Sequence, residues 1–243
     1  MKRIVDLIVS FFGLLLMSPV LIIFVILIFI EDRHYPFYIA KRVGKGGVHF
    51  KMIKLRSMVV NADANKVDST SSNDPRITKL GNFIRRFKID EIPNLINILT
   101  FKMSFVGPRP NVEREVNLYT NEELKILRMR PGITDISSIV FADEGDILEN
   151  SKDPDLDYNQ LIRPWKSRLA IFYTENVSLF LDLQLMILTL FNFINRDKTL
   201  SIISKIIENF GADKQLTDIV LRKDPLVPTT PPGSSHIVLN RGI

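Results

Sequence analysis

The sequence predicts an α+β fold: a mostly helical domain with a small β-hairpin, preceded by an apolar N-terminal membrane segment. Three observations predict it. Residues 4–30 read "IVDLIVSFFGLLLMSPVLIIFVILIFI", with Asp6 as the sole charge. Residues 38–58, "YIAKRVGKGGVHFKMIKLRSM", read as two short strands around a turn at Gly44–Gly47. Apolar positions then recur at helical spacing after Lys88 and again between residues 178 and 210.

Composition narrows the chemistry. The 243 residues suffice for one good core or two small ones, and 46% are hydrophobic. A net charge of +5 suits an anionic membrane surface or phosphorylated ligands. There is no cysteine, which excludes disulfides, thiolate catalysis and cysteine-bound zinc. The three histidines, His34, His49 and His236, lack ligand spacing, so acid–base or nucleophilic work falls to carboxylates. No basic stripe interleaved with aromatics supports a nucleic-acid partner.

As one straight helix the N-terminal run would extend ~40 Å, more than the ~30 Å hydrocarbon core requires. Pro19 removes a backbone donor and collides with the Leu15 carbonyl, which Ser18 is able to re-satisfy in lipid. A bend at Ser18-Pro19 would leave two arms too short to cross. Basic residues flank both ends, Lys2 and Arg3 before, then Arg33, Lys41, Arg42 and Lys45. A re-entrant hairpin satisfies both features, yet composition alone places a spanning helix slightly ahead.

In the hairpin the basic residues, Lys54 and Arg56 among them, form one rim, which by itself is an ordinary solvated face. Residues 60–75 read as a mobile polar loop, followed by a short amphipathic helix carrying Arg85 and Arg86. In the next helix Ile92, Leu95, Ile96 and Leu99 define a buried stripe. Asp90, Asn94 and Asn97 then fall on the opposite side, with Asp90 as N-cap and Pro93 in the first turn. "KMSFVGPRP" reads as a strand ending in a rigid turn, where Pro110 forces Arg109 into an extended conformation. A guanidinium on so stiff a backbone loses little entropy on binding phosphate. Asp143-Glu144 forms a second carboxylate pair, read as a solvated loop. Residues 178–194 read as a helix packed in the core or lying in the membrane interface, and residues 197–210 as an amphipathic helix. The tail from Asp224 reads as extended or disordered.

Adjacent acids, several arginines, a basic hairpin and a lipid-embedded N-terminus suit phosphoryl transfer at a membrane surface. Arginines neutralise phosphate oxygens, magnesium commonly uses one or two carboxylates plus substrate phosphates, and a carboxylate is able to serve as nucleophile. A membrane-anchored binding protein gripping anionic lipid is the alternative from another class.

"DPRITKLGNFIRRFKIDEIPNLINILTFKMSFVGPRP" (74–110) resembles the signature of the bacterial sugar transferases, monotopic polyprenyl-phosphate phosphoglycosyl transferases. So do "KRIVDLIVSFFGLLLMSPVLI", "RVGKGGVHFKMIKLRSM" and "RPGITDISSI", in the family's order over about residues 2–195. The resemblance implies transfer of a sugar 1-phosphate from a UDP-sugar donor to undecaprenyl phosphate, with UMP released. It implies Asp90 as the nucleophile forming a covalent aspartyl phosphosugar, with Glu91 as its partner acid and Mg2+ as cofactor near both. It further implies phosphate contacts from Arg85 and Arg109, and Lys54 and Arg56 lie in the matching hairpin segment as further substrate-binding candidates. Ser18-Pro19 matches the family's break in a re-entrant helix, which reverses the compositional preference for spanning.

The expected organisation is therefore a re-entrant membrane helix (1–33), a catalytic domain (34–196), and a C-terminal helix with an extended tail (197–243). The expected location is the bacterial inner membrane, monotopic in membrane lipid, with the catalytic domain on the cytoplasmic face. The extension is expected either to pack on the core or to mediate self-association as a homodimer. Two departures stand out. Lys88 replaces a small or hydroxylated residue before the dyad, which affects its electrostatics. "DISSIVFADEGD" replaces a "GxAQV"-like run, so sugar recognition does not carry over.

Overall fold

A long N-terminal helix dominates the computed structural model, which describes residues 1–65, 67 and 69–239. This helix, α1 (Lys2–Asp32), runs through Pro19 without interruption, so the expected break into two arms is not seen as a gap in the helix. Ser18 Oγ donates to Leu15 O at 2.8 Å, serving the carbonyl that Pro19 cannot. One face of α1 docks along the domain, burying Asp6, Ser10 and Ile28, while Phe12, Leu16, Ile23 and Ile30 stand exposed on others.

Both ends of α1 are fastened to the same domain. Near its start, Lys2 Nζ reaches Asp182 Oδ2 at 2.6 Å, Val106 O at 2.8 Å and the Tyr173 hydroxyl at 3.0 Å. Asp6, the isolated charge of the apolar run, accepts from Ser104 Oγ at 2.6 Å and from the Phe105 amide at 3.1 Å. At its far end Asp32 is gripped by Arg56, and Glu31 accepts from Thr78 Oγ1 at 3.1 Å. These partners remove the desolvation cost that a lone carboxylate would carry beside apolar surface.

The predicted hairpin is present. Strands β1 (Phe37–Val43) and β2 (His49–Leu55) pair antiparallel with Phe37 opposite Leu55 and Val43 opposite His49. Gly46 and Gly47 turn the chain at φ 67° and 78°, a region that L side chains rarely adopt. Ala40, Phe50 and Met52 on one face pack against Leu95, Ile98 and Met103. Helix α2 (Lys79–Arg86) is capped by Thr78, whose side chain accepts from the Gly81 amide.

The following helix differs from expectation. A 3-10 turn at Ile89–Glu91 comes first, and α3 (Asn94–Leu99) begins only after Pro93. Asp90 therefore makes no cap. The stripe expected to be buried is only partly so at Ile92, Ile96 and Leu99, while Asn94 and Asn97 on the opposite side are buried. The reason is β2, whose edge needs partners. Asn97 Oδ1 accepts from the Ile53 amide at 2.9 Å, and its Nδ2 donates to Lys51 O at 2.7 Å.

Strand β3 (Ser104–Val106) pairs in parallel with β4 (Gly132–Thr134), a strand the Pro-Gly signal at 131–132 disguised as a turn. A Cβ on Gly132 would sit 2.2 Å from the Gly107 amide nitrogen, so the close strand approach requires glycine there. Single helical turns α4 (Glu113–Val116), α6 (Glu144–Ile147) and α7 (Pro154–Asp157) and the short α5 (Ile136–Val140) carry the chain to α8 (Arg163–Glu175). Then follow α9 (Leu179–Phe191), α10 (Arg196–Asn209) and α11 (Lys214–Leu221). Helices α5, α8, α9, α10 and α11 share the largest core, which contains Ile136, Leu169, Leu185, Ile203 and Val220.

Residues 178–194 are packed in the core on one face of α9, where Leu181, Leu185 and Leu188 are buried, whereas Phe180, Ile187 and Leu190 are exposed on another. The described part of the 60–75 loop is tied down, with the Ser69 amide on Asp155 and the Ser72 amide on Gly145 O. Residues 66 and 68 of that loop, and the last four of the tail, lie outside the described residues. The described tail is extended and fastened, with the Thr229 amide on Gln160 O and Gln160 Nε2 on Val238 O.

Candidate active site

The site forms where β2, the turn between α2 and α3, and the loop after β3 meet. Lys88 adopts a left-handed backbone (φ 55°), which ends α2 and redirects the chain into the dyad turn. Such a conformation costs a non-glycine residue about 1 kcal/mol, an unusual expense that functional sites tend to retain. Asp90 and Glu91 both end up buried.

Glu91 is held by two cations. Lys54 Nζ lies 2.9 Å from its Oε1, and the Arg109 guanidinium grips both carboxylate oxygens. Burial would push the Glu91 carboxyl up, but Arg109 and Lys54 outweigh it and hold the group well below the usual carboxylate range. Glu91 in turn raises Arg109 above its ordinary value. Lys88 adds to the cationic field on Glu91, so the departure at that position does alter dyad electrostatics.

Asp90 is more lightly engaged. Its Oδ2 accepts from Lys54 Nζ at 3.3 Å, while Oδ1 is buried without a hydrogen-bond partner among the described residues. A buried carboxylate oxygen left unpaired is costly, and native structures keep such groups where they have work to do. Arg85 lies within electrostatic range of Asp90; burial lowers its guanidinium, and the Asp90 charge opposes that shift. The expected set Asp90, Glu91, Arg85, Arg109 and Lys54 thus comes together.

Arg109 is placed by its backbone. The Gly107 amide donates to Thr134 O, the Gly132 amide to Pro108 O, and the Val43 amide to Asn111 O, which pins the loop on both sides. Arg56 does not join the dyad. Its guanidinium pairs with Asp32 and its Nε donates to Tyr35 O at 2.9 Å, so it fastens the end of α1. Among the described residues no group of three metal-ligating side chains occurs, so a cation here would rely on substrate oxygens as well.

The second carboxylate pair is not a solvated loop. Asp143 pairs with Arg196 at 2.8 Å and Arg222 at 3.4 Å, and Glu144 with Lys166. Burial would raise the Glu144 carboxyl, but Lys166, with Arg109 and Lys88 behind it, lowers it. Asp143 and Glu144 line the same cleft as the dyad. Lys166, Arg196 and Arg222 were beyond the reach of sequence reasoning, because no local motif joins positions so far apart. The cleft also reaches Val9, Gly13 and Met17 of α1, giving it an apolar end.

Comparison with known proteins identifies the family. The family model for bacterial sugar transferases matches residues 1–196. The exopolysaccharide production protein ExoY of Rhizobium meliloti (strain 1021) is 36% identical over 153 residues, covering 57% of this chain and 68% of that protein. The UDP-glucose:undecaprenyl-phosphate glucose-1-phosphate transferase of Escherichia coli (strain K12) is 35% identical over 204 residues, 81% of this chain and 41% of that protein. A UDP-N-acetylgalactosamine-undecaprenyl-phosphate N-acetylgalactosaminephosphotransferase of Aeromonas hydrophila is 30% identical over 182 residues, 71% and 42% of the two chains.

Proposed function

Because this chain belongs to the bacterial sugar transferase family, we propose that it moves a sugar 1-phosphate from a UDP-sugar to undecaprenyl phosphate through a covalent phosphosugar on Asp90. The observation that carries this reading is the contrast within the dyad. Glu91 is held by Lys54 and Arg109, whereas Asp90 keeps one buried oxygen without a partner among the described residues.

In the first step an Asp90 carboxylate oxygen attacks the donor's β-phosphorus. The bond from that phosphorus to the bridging oxygen breaks, and UMP departs with the electron pair. In the second step a phosphate oxygen of undecaprenyl phosphate attacks the same phosphorus and expels the Asp90 carboxylate. The products are undecaprenyl-diphosphate-sugar and a regenerated enzyme. Arg85 and Arg109 neutralise phosphate oxygens as charge moves between them. Glu91, fixed in its anionic form, holds Lys54 and Arg109 in place around the reacting phosphorus.

Asp90 and Glu91 are the residues that would hold Mg2+, and as only two carboxylates they would need phosphate oxygens of the donor to complete its ligands. When bound, the ion would neutralise diphosphate charge and stabilise the departing nucleotide.

The anchor in this reading is re-entrant and the protein monotopic, on the cytoplasmic face of the inner membrane. Support comes from Lys2 and Asp32, which are thirty positions apart yet both ion-paired to the domain that holds the dyad, as an anchor returning to its own side of the bilayer would need. The exposed stripe Phe180, Ile187 and Leu190 gives α9 a second apolar contact with lipid. Residues 1–33 then serve as anchor, 34–196 as catalytic domain, and 197–243 as an added element. The apolar end of the cleft at Gly13 and Met17 would admit the lipid acceptor.

UMP release from a panel of UDP-sugars, with Mg2+ and undecaprenyl phosphate, tests the reading. Wild-type protein should turn over at least one donor, and Asp90→Asn should lose about 10³-fold or more. Near-normal turnover by Asp90→Asn would remove the nucleophile from this account.

A further inference from the structure

We propose that the C-terminal extension governs which donor sugar is accepted, through Arg222 clamping the Asp143–Glu144 loop against the cleft. This rests on the donor reading above, but the residues concerned are separate from the dyad and its cations.

The loop is gripped from several directions. Arg196 Nη2 donates to Val140 O at 3.0 Å and pairs with Asp143 Oδ1 at 2.8 Å. Arg222 Nη2 pairs with the other carboxylate oxygen at 3.4 Å, and its guanidinium lies 4.9 Å from the centre of the Phe141 ring. Gly145 O accepts from the Ser72 amide at 2.9 Å, and Glu144 is tied to Lys166. The family match ends at residue 196, so Arg222 is contributed by chain beyond it.

Arg222 is built in rather than draped across the surface. Its side chain is about nine-tenths buried, and α11, which ends at it, is seated in the main core by Leu216 and Val220. Its backbone is left-handed at φ 53°, a strained choice for arginine that turns the chain at that point.

The ligand class follows from what faces the cleft. Phosphate-binding cations gather at the dyad, whereas at this end Asn192 Oδ1 and Arg196 Nε, both buried, have no partner among the described residues. Both residues line the cleft with Asp143 and Glu144. One acceptor and one donor among the residues lining the same cleft match a hydroxyl group, which both gives and takes a hydrogen bond. The geometry suits the hydroxylated ring of the nucleotide sugar. Discrimination between sugars differing at one hydroxyl depends on such groups being rigidly placed.

The test compares wild type, Arg222→Leu and Arg222→Lys in two measurements. The first is kcat/KM for UMP release from UDP-glucose, UDP-galactose, UDP-N-acetylglucosamine and UDP-N-acetylgalactosamine. The second is backbone hydrogen exchange across residues 141–147. In Arg222→Leu the ratio between the best and next donor should fall about 10-fold, chiefly through KM, with exchange about 10-fold faster. Arg222→Lys should lie between, and it carries the test should the leucine variant fail to fold. Unchanged donor ratios, or an equal fall for every donor, would overturn the proposal. If wild type released UMP from no donor, the functional reading would fail instead. Loop exchange would then decide alone whether Arg222 holds the loop, and unchanged exchange would sink the clamp.

Discussion

Glu91 shows how a side chain's chemistry depends on its neighbours. Its carboxyl is depressed below the ordinary value of 4.5 because Arg109 and Lys54 outweigh the cost of burial. A depressed carboxylate stabilises the fold fully above its unfolded value, and that contribution fades as pH falls through the lower folded value. Wild type should therefore exceed Glu91→Gln in stability by a constant margin above about pH 5, and the margin should shrink below about pH 4.5. Denaturant unfolding at stepped pH checks this; a margin indifferent to pH across that range would contradict it. At this scale the sequence was legible where spacing and rigidity carried the signal. Adjacent acids and a proline-flanked arginine were identifiable, and Asp90, Glu91 and Arg109 do meet. Capping was misread because Lys88 takes a left-handed backbone that inserts a separate turn before α3. For Arg56, nothing local reveals that Asp32, twenty-four positions away, claims its guanidinium.

Elements were legible in proportion to how local their causes are. The hairpin follows from alternation and a glycine turn, and α2 from its amphipathic pattern and Thr78 cap. Strand β4 was hidden because its three residues depend on a parallel neighbour twenty-eight positions earlier, and no local periodicity marks it. The burial of Asn97 on the polar face of α3 has no local sign, because the backbone needs of β2 that it serves lie outside the helix. Helix α8 depends on a buried pair equally invisible locally: Arg163 Nη2 meets Glu123 Oε2 at 2.6 Å, with Ser167 donating to the same carboxylate. Glu123→Leu strands that guanidinium without its counter-ion and should cost about 3–5 kcal/mol, most of it recovered by adding Arg163→Met. Equilibrium unfolding of both variants in detergent provides the comparison, and a loss under about 1 kcal/mol would show the pair to be incidental.

At the scale of the whole molecule, both ends of an apolar helix are fastened to the domain that holds the dyad, and the proposed anchor rests on that arrangement. Because the chain contains no cysteine, single cysteines report topology cleanly. One appended before Met1 and one replacing Arg33 should react with an impermeant thiol reagent from the same side of oriented vesicles. Labelling from opposite sides would mean that α1 spans the bilayer. The role of the C-terminal extension was the least legible part, since the pairing of Asp143 with Arg196 and Arg222 exists only once α10 and α11 are packed. The most direct test of the central claim is intact-protein mass spectrometry after incubation with a turned-over UDP-sugar and Mg2+ in the absence of acceptor. The account predicts a mass gain equal to one sugar phosphate, mapped to Asp90 and discharged by adding undecaprenyl phosphate. Absence of any adduct under conditions where UMP forms only once acceptor is supplied would point to direct transfer and contradict it.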